Sequence, residues 1–323
     1  MGQKQTSQYL QPMSALPPIA DIGTQSRSVR FVPKADISGL DTAHSFVTLI
    51  LLTKISLSVM SSGLQFDEEI SRKVESLYMT PDVVAQRHQV LKALALREGE
   101  RVLDIGSGPG LLAYDMAVSV GRSGRVCGID ISEDMLTMSR KRCADQVQTE
   151  FQKADATKLP FPDDSFDGAA STQVYEYVRD IPLALAELYR VARPGGRAVV
   201  LDTDYGSLVI HTEDEARMKR VLSAWNEHFV HAGLPRTLSR QLRDAGFTIR
   251  QRDAVPMFNP EYRENTYGKG LLAIMATFAV GRKGVSREEA DAWLAEFAEL
   301  AKQGKFFFSL NRYLFVADKP PAA

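Results

Sequence analysis

The sequence predicts an α/β fold: a doubly wound, mostly parallel sheet of seven strands with helices on both faces. Three observations predict it. From residue 66 onward, apolar runs of strand length alternate with amphipathic stretches of helical period. The first strand, VLDIGSGPG at 102–110, breaks straight into a glycine-rich turn, as a strand feeding a crossover helix does. The chain has 323 residues, 44% of them apolar and 24% charged, enough for one large domain of ordinary globular make-up.

The elements follow in order. Amphipathic helices are expected over 66–79 and 80–96, the second opened by Thr80 as N-cap with Pro81 at the first helical position. Strands are expected over 101–107, 124–132, 149–156, 166–173 and 196–204, with helices over 110–121, 132–146 and 181–193. Strict alternation then lapses. Helices over 213–233 and 235–247 precede two strands, 247–258 and 306–320, which flank a helical insert over 262–303. The expected organisation is one domain over 61–323, with 262–303 as a helical lid. The closing FFSLNRYLF places Asn311 and Arg312 at a sheet edge.

Residues 1–60 read differently. They are rich in Gln, Ser and Pro without helical or strand period, which predicts a disordered tail. Part of it, 14–37, resembles translated intergenic repeat sequence, so a natural start at Met60 stands as an alternative. The one membrane-like stretch, 46–60, is interrupted by Lys54 and falls short of the ~20 apolar residues a span needs. It also lies too far from Met1 for a secretory signal, so no stable membrane insertion is expected. A net charge of −1 argues against a nucleic-acid-coating surface. Two cysteines, Cys127 and Cys143, make neither a disulfide framework nor a zinc site; a cytoplasmic protein without a bound metal is the expectation.

The chemistry begins at Asp104, followed by Gly106, Ser107, Gly108 and Gly110. Glycines here let the backbone take positive φ and approach a ligand closely, and the next helix points its free N–H groups the same way. A dinucleotide, a nucleoside triphosphate or another adenosine-bearing cofactor would suit such a turn. The spacing is G-x-G-x-G, not the dinucleotide fingerprint, and no Gly-Lys-Ser/Thr follows.

With Asp104 ahead of it, the run resembles motif I of class I S-adenosylmethionine-dependent methyltransferases. Further segments carry the likeness. LPFPDDSFDGA at 159–169 resembles the link between strands three and four in the small-molecule branch that includes ubiquinone/menaquinone C-methyltransferases, and LYRVARPGGRAVVLDTD at 188–204 matches the helix, turn and fifth strand. The resemblance covers about 77–247. It implies that Asp130 accepts from the ribose hydroxyls, that Ile131 and Met135 cover the adenine, and that Asp155 and the Ala156 amide contact the adenine edge. Gln173 would lie near the methionyl end of the cofactor.

The implied reaction moves a methyl group from S-adenosylmethionine to oxygen, carbon or nitrogen of a small molecule by in-line displacement. The site would lie at the carboxyl ends of strands four and five. Tyr175 and Glu176 follow the fourth strand; Asp202, Asp204, Tyr205 and His211 follow the fifth. His211 is the expected base, since imidazole titrates near neutral pH, and Tyr175 is expected to position substrate. His228 and His231 sit on an amphipathic helix and are expected to pack or face solvent. No Asp/Asn-Pro-Pro-Tyr/Phe follows strand four, which disfavours nucleic-acid and glutamine amide nitrogens as acceptors. Neither cysteine is placed for RNA C5 chemistry or arsenic binding. A non-catalytic S-adenosylmethionine-binding protein and an NAD-dependent oxidoreductase are the alternatives. The acceptor and the oligomeric state stay open.

Overall fold

The computed structural model describes residues 75–322. The expected tail over 1–60 lies outside the described residues, as does most of the 66–79 helix, of which 75–78 are helical.

Helix α1 (Pro81–Leu94) leads into β1 (Arg101–Ile105), α2 (Leu111–Val120), β2 (Arg125–Asp130), α3 (Glu133–Arg142), β3 (Thr149–Lys153) and β4 (Phe166–Thr172). Then come α4 (Ile181–Val191), β5 (Ala192–Ile210), α5 (Glu215–Trp225), α6 (Pro235–Asp244), β6 (Thr248–Asn259), α7 (Tyr267–Ala279), α8 (Arg287–Lys302) and β7 (Phe308–Asp318). The seven strands form one sheet in the order β3-β2-β1-β4-β5-β7-β6. The first five run parallel, while β7 is antiparallel to both β5 and β6.

Two-sided burial explains the continuous apolar runs of the central strands. Successive residues turn to opposite faces. Val102 and Val199 join Val90 and Leu94 of α1 and Met116 of α2. Leu103 and Val200 join Leu185 and Leu188 of α4 and Leu238 and Leu242 of α6. Each such fully buried side chain contributes roughly 2 kcal/mol of transfer free energy. A third core gathers Trp225 of α5, Met275 of α7, and Trp293 and Phe297 of α8 over Met257, Phe308 and Leu310 of the antiparallel strands. That core fixes α5, α7 and α8 onto the part of the sheet that projects past the parallel strands.

Three expectations are corrected. Strand β5 does not end at Asp204 but continues to Ile210, through an irregularity between Asp204 and Val209, because Phe308 and Ser309 of β7 carry the pairing on. Asp202, Asp204 and Tyr205 therefore lie within the strand. Arg312 is not at an edge: β7 inserts between β5 and β6, pairing Arg312 with Thr203 on one side and Val255 on the other. Thr80 stands at the N-cap position of α1, but its hydroxyl turns back and donates to the Leu77 carbonyl at 2.8 Å, so it caps no helical amide.

Candidate functional site

The three glycines after β1 do different work. All have positive φ, +67° at Gly106, +51° at Gly108 and +79° at Gly110. A Cβ on Gly106 would strike the Val174 side chain of the β4 loop, and one on Gly110 would lie 2.9 Å from Ser139 Cα on α3. At Gly108 a Cβ would meet nothing within 4 Å. Gly106 and Gly110 thus permit packing within the protein, whereas Gly108 borders open space. The loop is braced from α3: the Ser139 hydroxyl donates to the Gly108 carbonyl at 2.6 Å, and Arg142 Nε to the Pro109 carbonyl at 2.8 Å.

Asp130, at the end of β2, spans the loop and the next helix. One carboxylate oxygen accepts from the Gly108 amide and the other from the Ser132 amide, each at 2.9 Å. Both oxygens keep a lone pair for a further donor. Burial raises its pKa, and those amides pull it partly back. Beside it Ile131 is 68% exposed, an apolar side chain left uncovered at the mouth of the loop, while Met135 is buried beneath. Asp155 is exposed past β3, with Oδ1 accepting from the Thr157 amide and hydroxyl and Oδ2 without a partner among the described residues; Ala156 is buried next to it.

Asp104 is buried under the loop. Neither of its oxygens has a hydrogen-bond partner among the described residues. The Ala113 amide at the start of α2 pulls on the carboxylate but falls short of hydrogen-bonding geometry, so burial, aided by the charge of Asp130, raises the pKa to about 8. An unpartnered buried carboxyl facing a glycine loop suits a cationic ligand group. Ser107 is buried too, its amide donating to the Ile129 carbonyl at 2.8 Å.

At the carboxyl end of β4, Gln173 takes a left-handed conformation with φ +57°, unusual for a residue with a side chain. Its amide donates to the Leu201 carbonyl at 2.7 Å and its side chain reaches Thr203 Oγ1 at 3.4 Å. The next residues enter a short 3₁₀ turn (Tyr175–Tyr177) that splits its side chains. Tyr175 has no exposed surface and packs in the core with Leu185 and Leu188. Burial drives its hydroxyl pKa upward, and the hydroxyl has no hydrogen-bond partner among the described residues. Glu176 is equally buried, with Oε2 accepting from the Thr203 amide and Oε1 unpartnered among the described residues. Burial raises its pKa to about 7, only partly offset by the Thr203 amide and the Arg312 charge. Asp202 beside it is held well above the carboxylate range, first by burial and then by Glu176.

Tyr177 keeps 42% of its surface accessible, yet protein surrounds it closely enough that burial raises its hydroxyl pKa well above the ordinary range. Tyr78, Tyr205 and Tyr267 sense the same charge of Glu176, as does Tyr177 itself. The Tyr177 hydroxyl lies 3.1 Å from His228 Nε2. Burial lowers the His228 pKa to about 4, so the imidazole is neutral. The ring stacks on Trp225, with centroids 4.7 Å apart.

The remaining candidates stand apart from this cluster. His211 is exposed beyond the end of β5, its amide donating to the Phe307 carbonyl at 3.1 Å, so that it lies about 17 Å along β7 from the residue paired with Thr203. Asp204 points to the opposite face, held by Arg236 through two bonds of 2.8 Å, an ion pair that stabilises the β5–α6 junction. His231 is a surface residue near the Arg179 carbonyl. Sequence reasoning missed Tyr78, Gln86, Tyr177 and Tyr267, which are far apart in the chain. The one legible sign was a charged Arg312 inside a strand-like run.

A methyltransferase-domain family matches residues 103–200. An uncharacterized 37.1 kDa protein in transposon TN4556 of Streptomyces fradiae is 31% identical over 266 residues, 80% of this chain and 75% of that protein. The 2-phytyl-1,4-naphtoquinone methyltransferase of Synechococcus elongatus is 40% identical over 119 residues, 36% of this chain and 51% of that enzyme. The chain thus spans about half the length of that quinone-type relative. In fold it is similar to phosphoethanolamine N-methyltransferase 2 of Haemonchus contortus, solved with S-adenosyl-L-methionine: TM-score 0.53, 21% identity, 79% of this chain and 58% of that one.

Proposed function

The chain belongs to the class I S-adenosylmethionine-dependent methyltransferases, and on that premise we propose that it methylates a small-molecule acceptor held in a hollow past β4. The observation that carries this reading is the loop itself: Gly108 borders open space while Asp130 ties its amide to the start of α3 and Asp104 lies unpartnered below. In this reading Asp130 accepts from the ribose hydroxyls, Ile131 and Met135 cover the adenine, and Asp155 Oδ2 with the Ala156 amide meets its edge. Asp104 and Gln173 face the amino-acid end. S-adenosylmethionine supplies a methyl group on a positively charged sulfur, already an electrophile.

The chain's own task is then to align the acceptor and exclude water. Tyr78, Tyr177, Tyr205 and Tyr267 wall the hollow, and α5, α7 and α8 form the lid. Where the acceptor must lose a proton, Glu176 Oε1 takes it: unpartnered, buried beside the hollow, and poised near neutral pH. Exposed His211 has no part in this scheme. The test is calorimetric titration with S-adenosylmethionine, S-adenosylhomocysteine and NAD, with Asp130→Ala as control. Binding of the sulfur cofactors, weakened at least about tenfold in Asp130→Ala, is the expected result. Binding of NAD alone would overturn the reading. Methyl transfer to a panel of phenols, amines and acids separates an enzyme from a non-catalytic binder.

A further inference from the structure

Arg312 is fully buried in the middle of the sheet, on the face shared with Thr203. Its Nη1 is held by Gln86 of α1, and the Tyr267 ring of α7 lies 4.4 Å beneath the guanidinium. The other edge is unpaired: Nε and Nη2 are buried and have no partner among the described residues. Burying a guanidinium with two N–H groups unmet is costly, and a neutral ligand could not repay it well. These two nitrogens form one fork. The same fork on Arg236 grips both oxygens of Asp204 at 2.8 Å, which shows the group it fits. The charge of Arg312 is felt by Tyr78, Glu176, Tyr205 and Tyr267, the groups around the hollow.

We propose that the unpaired edge of Arg312 is a carboxylate-binding fork that anchors the methyl acceptor, so that the acceptor carries a carboxylate. This rests on the methyltransferase reading above. Two sources of carboxylate exist, the acceptor and the amino-acid end of the cofactor. Position favours the acceptor. Strands lie about 4.8 Å apart, so Arg312 on β7 stands about 10 Å past β4 and about 15 Å past the glycine loop of β1.

The experiment uses the full chain saturated with S-adenosylhomocysteine, titrated with matched acid and amide pairs: benzoate and benzamide, phenylacetate and phenylacetamide, 4-hydroxybenzoate and 4-hydroxybenzamide. At least one acid is expected to bind about tenfold tighter than its amide, a preference lost in Arg312→Gln. In the second arm, wild type and Arg312→Gln are compared for S-adenosylhomocysteine and for 5′-methylthioadenosine, which lacks the amino acid; both affinities are expected to be unchanged. No acid preferred over its amide, or a preference that survives Arg312→Gln, overturns the proposal. So does a variant that loses S-adenosylhomocysteine but keeps methylthioadenosine, which assigns the fork to the cofactor. If Arg312→Gln does not fold, the acid-against-amide comparison on the wild type decides alone. Failure of S-adenosylhomocysteine to bind at all refutes the cofactor reading, and this inference with it.

Discussion

Alanine at Gly108 and at Gly110 should have opposite consequences, although the two residues are two apart in one loop. Both have positive φ, so each alanine bears a left-handed strain of about 1–2 kcal/mol. At Gly108 nothing else is added, because no atom lies within 4 Å of the new methyl. At Gly110 the methyl meets Ser139 Cα at 2.9 Å and its Oγ at 3.1 Å, on a helix that cannot yield without disturbing the Ser139–Gly108 bond. Overpacking of this kind costs about 1–3 kcal/mol more. Urea unfolding should therefore place Gly108→Ala about 1–2 kcal/mol below wild type and Gly110→Ala about 2–5 kcal/mol below. Calorimetry with S-adenosylhomocysteine should show Gly108→Ala weakened by a factor of about ten or more, since its methyl projects where the cofactor backbone is placed. Two results would refute the reasoning: undiminished binding by Gly108→Ala, or a loss of stability equal to that of Gly110→Ala.

Further outcomes follow from the buried acids. The raised pKa of Asp104 means the native state holds its proton where the unfolded chain does not, so stability falls as pH rises from 3.8 to about 8. At 1.36 kcal/mol per pH unit the cost is bounded at about 6 kcal/mol; Asp104→Asn should flatten that slope in urea unfolding and weaken S-adenosylhomocysteine binding. With an acceptor in hand, wild-type turnover should rise with pH through about 7 as Glu176 loses its proton, Glu176→Gln should lose that limb, and His211→Ala should keep it. Asp204→Asn should lower stability in urea unfolding by weakening the Arg236 pair, with the affinity for S-adenosylhomocysteine unchanged.

The glycine loop and the acids proposed to hold the cofactor form a group that was legible because it is local. Asp104, the glycines, Asp130 and Asp155 each end a strand of a parallel sheet, and such strands deliver their carboxyl ends to one crevice whatever lies elsewhere. The acceptor half was not. Tyr175 and Tyr177 are two residues apart, and only the 3₁₀ turn between them sends one ring into the core and leaves the other exposed. His211 looked close to the fifth strand's end, but β5 is extended by pairing with β7, about a hundred residues later in the chain, and carries it away. By itself, then, the sequence determined the sheet, the glycine loop and the acids around it, since alternating apolar periods and strand-ending acids act within single βα units. Only the tertiary structure decided what faces the hollow: long-range pairing put Arg312 between two strands, beside a glutamine on α1 and a tyrosine on α7, and burial set the protonation of Glu176.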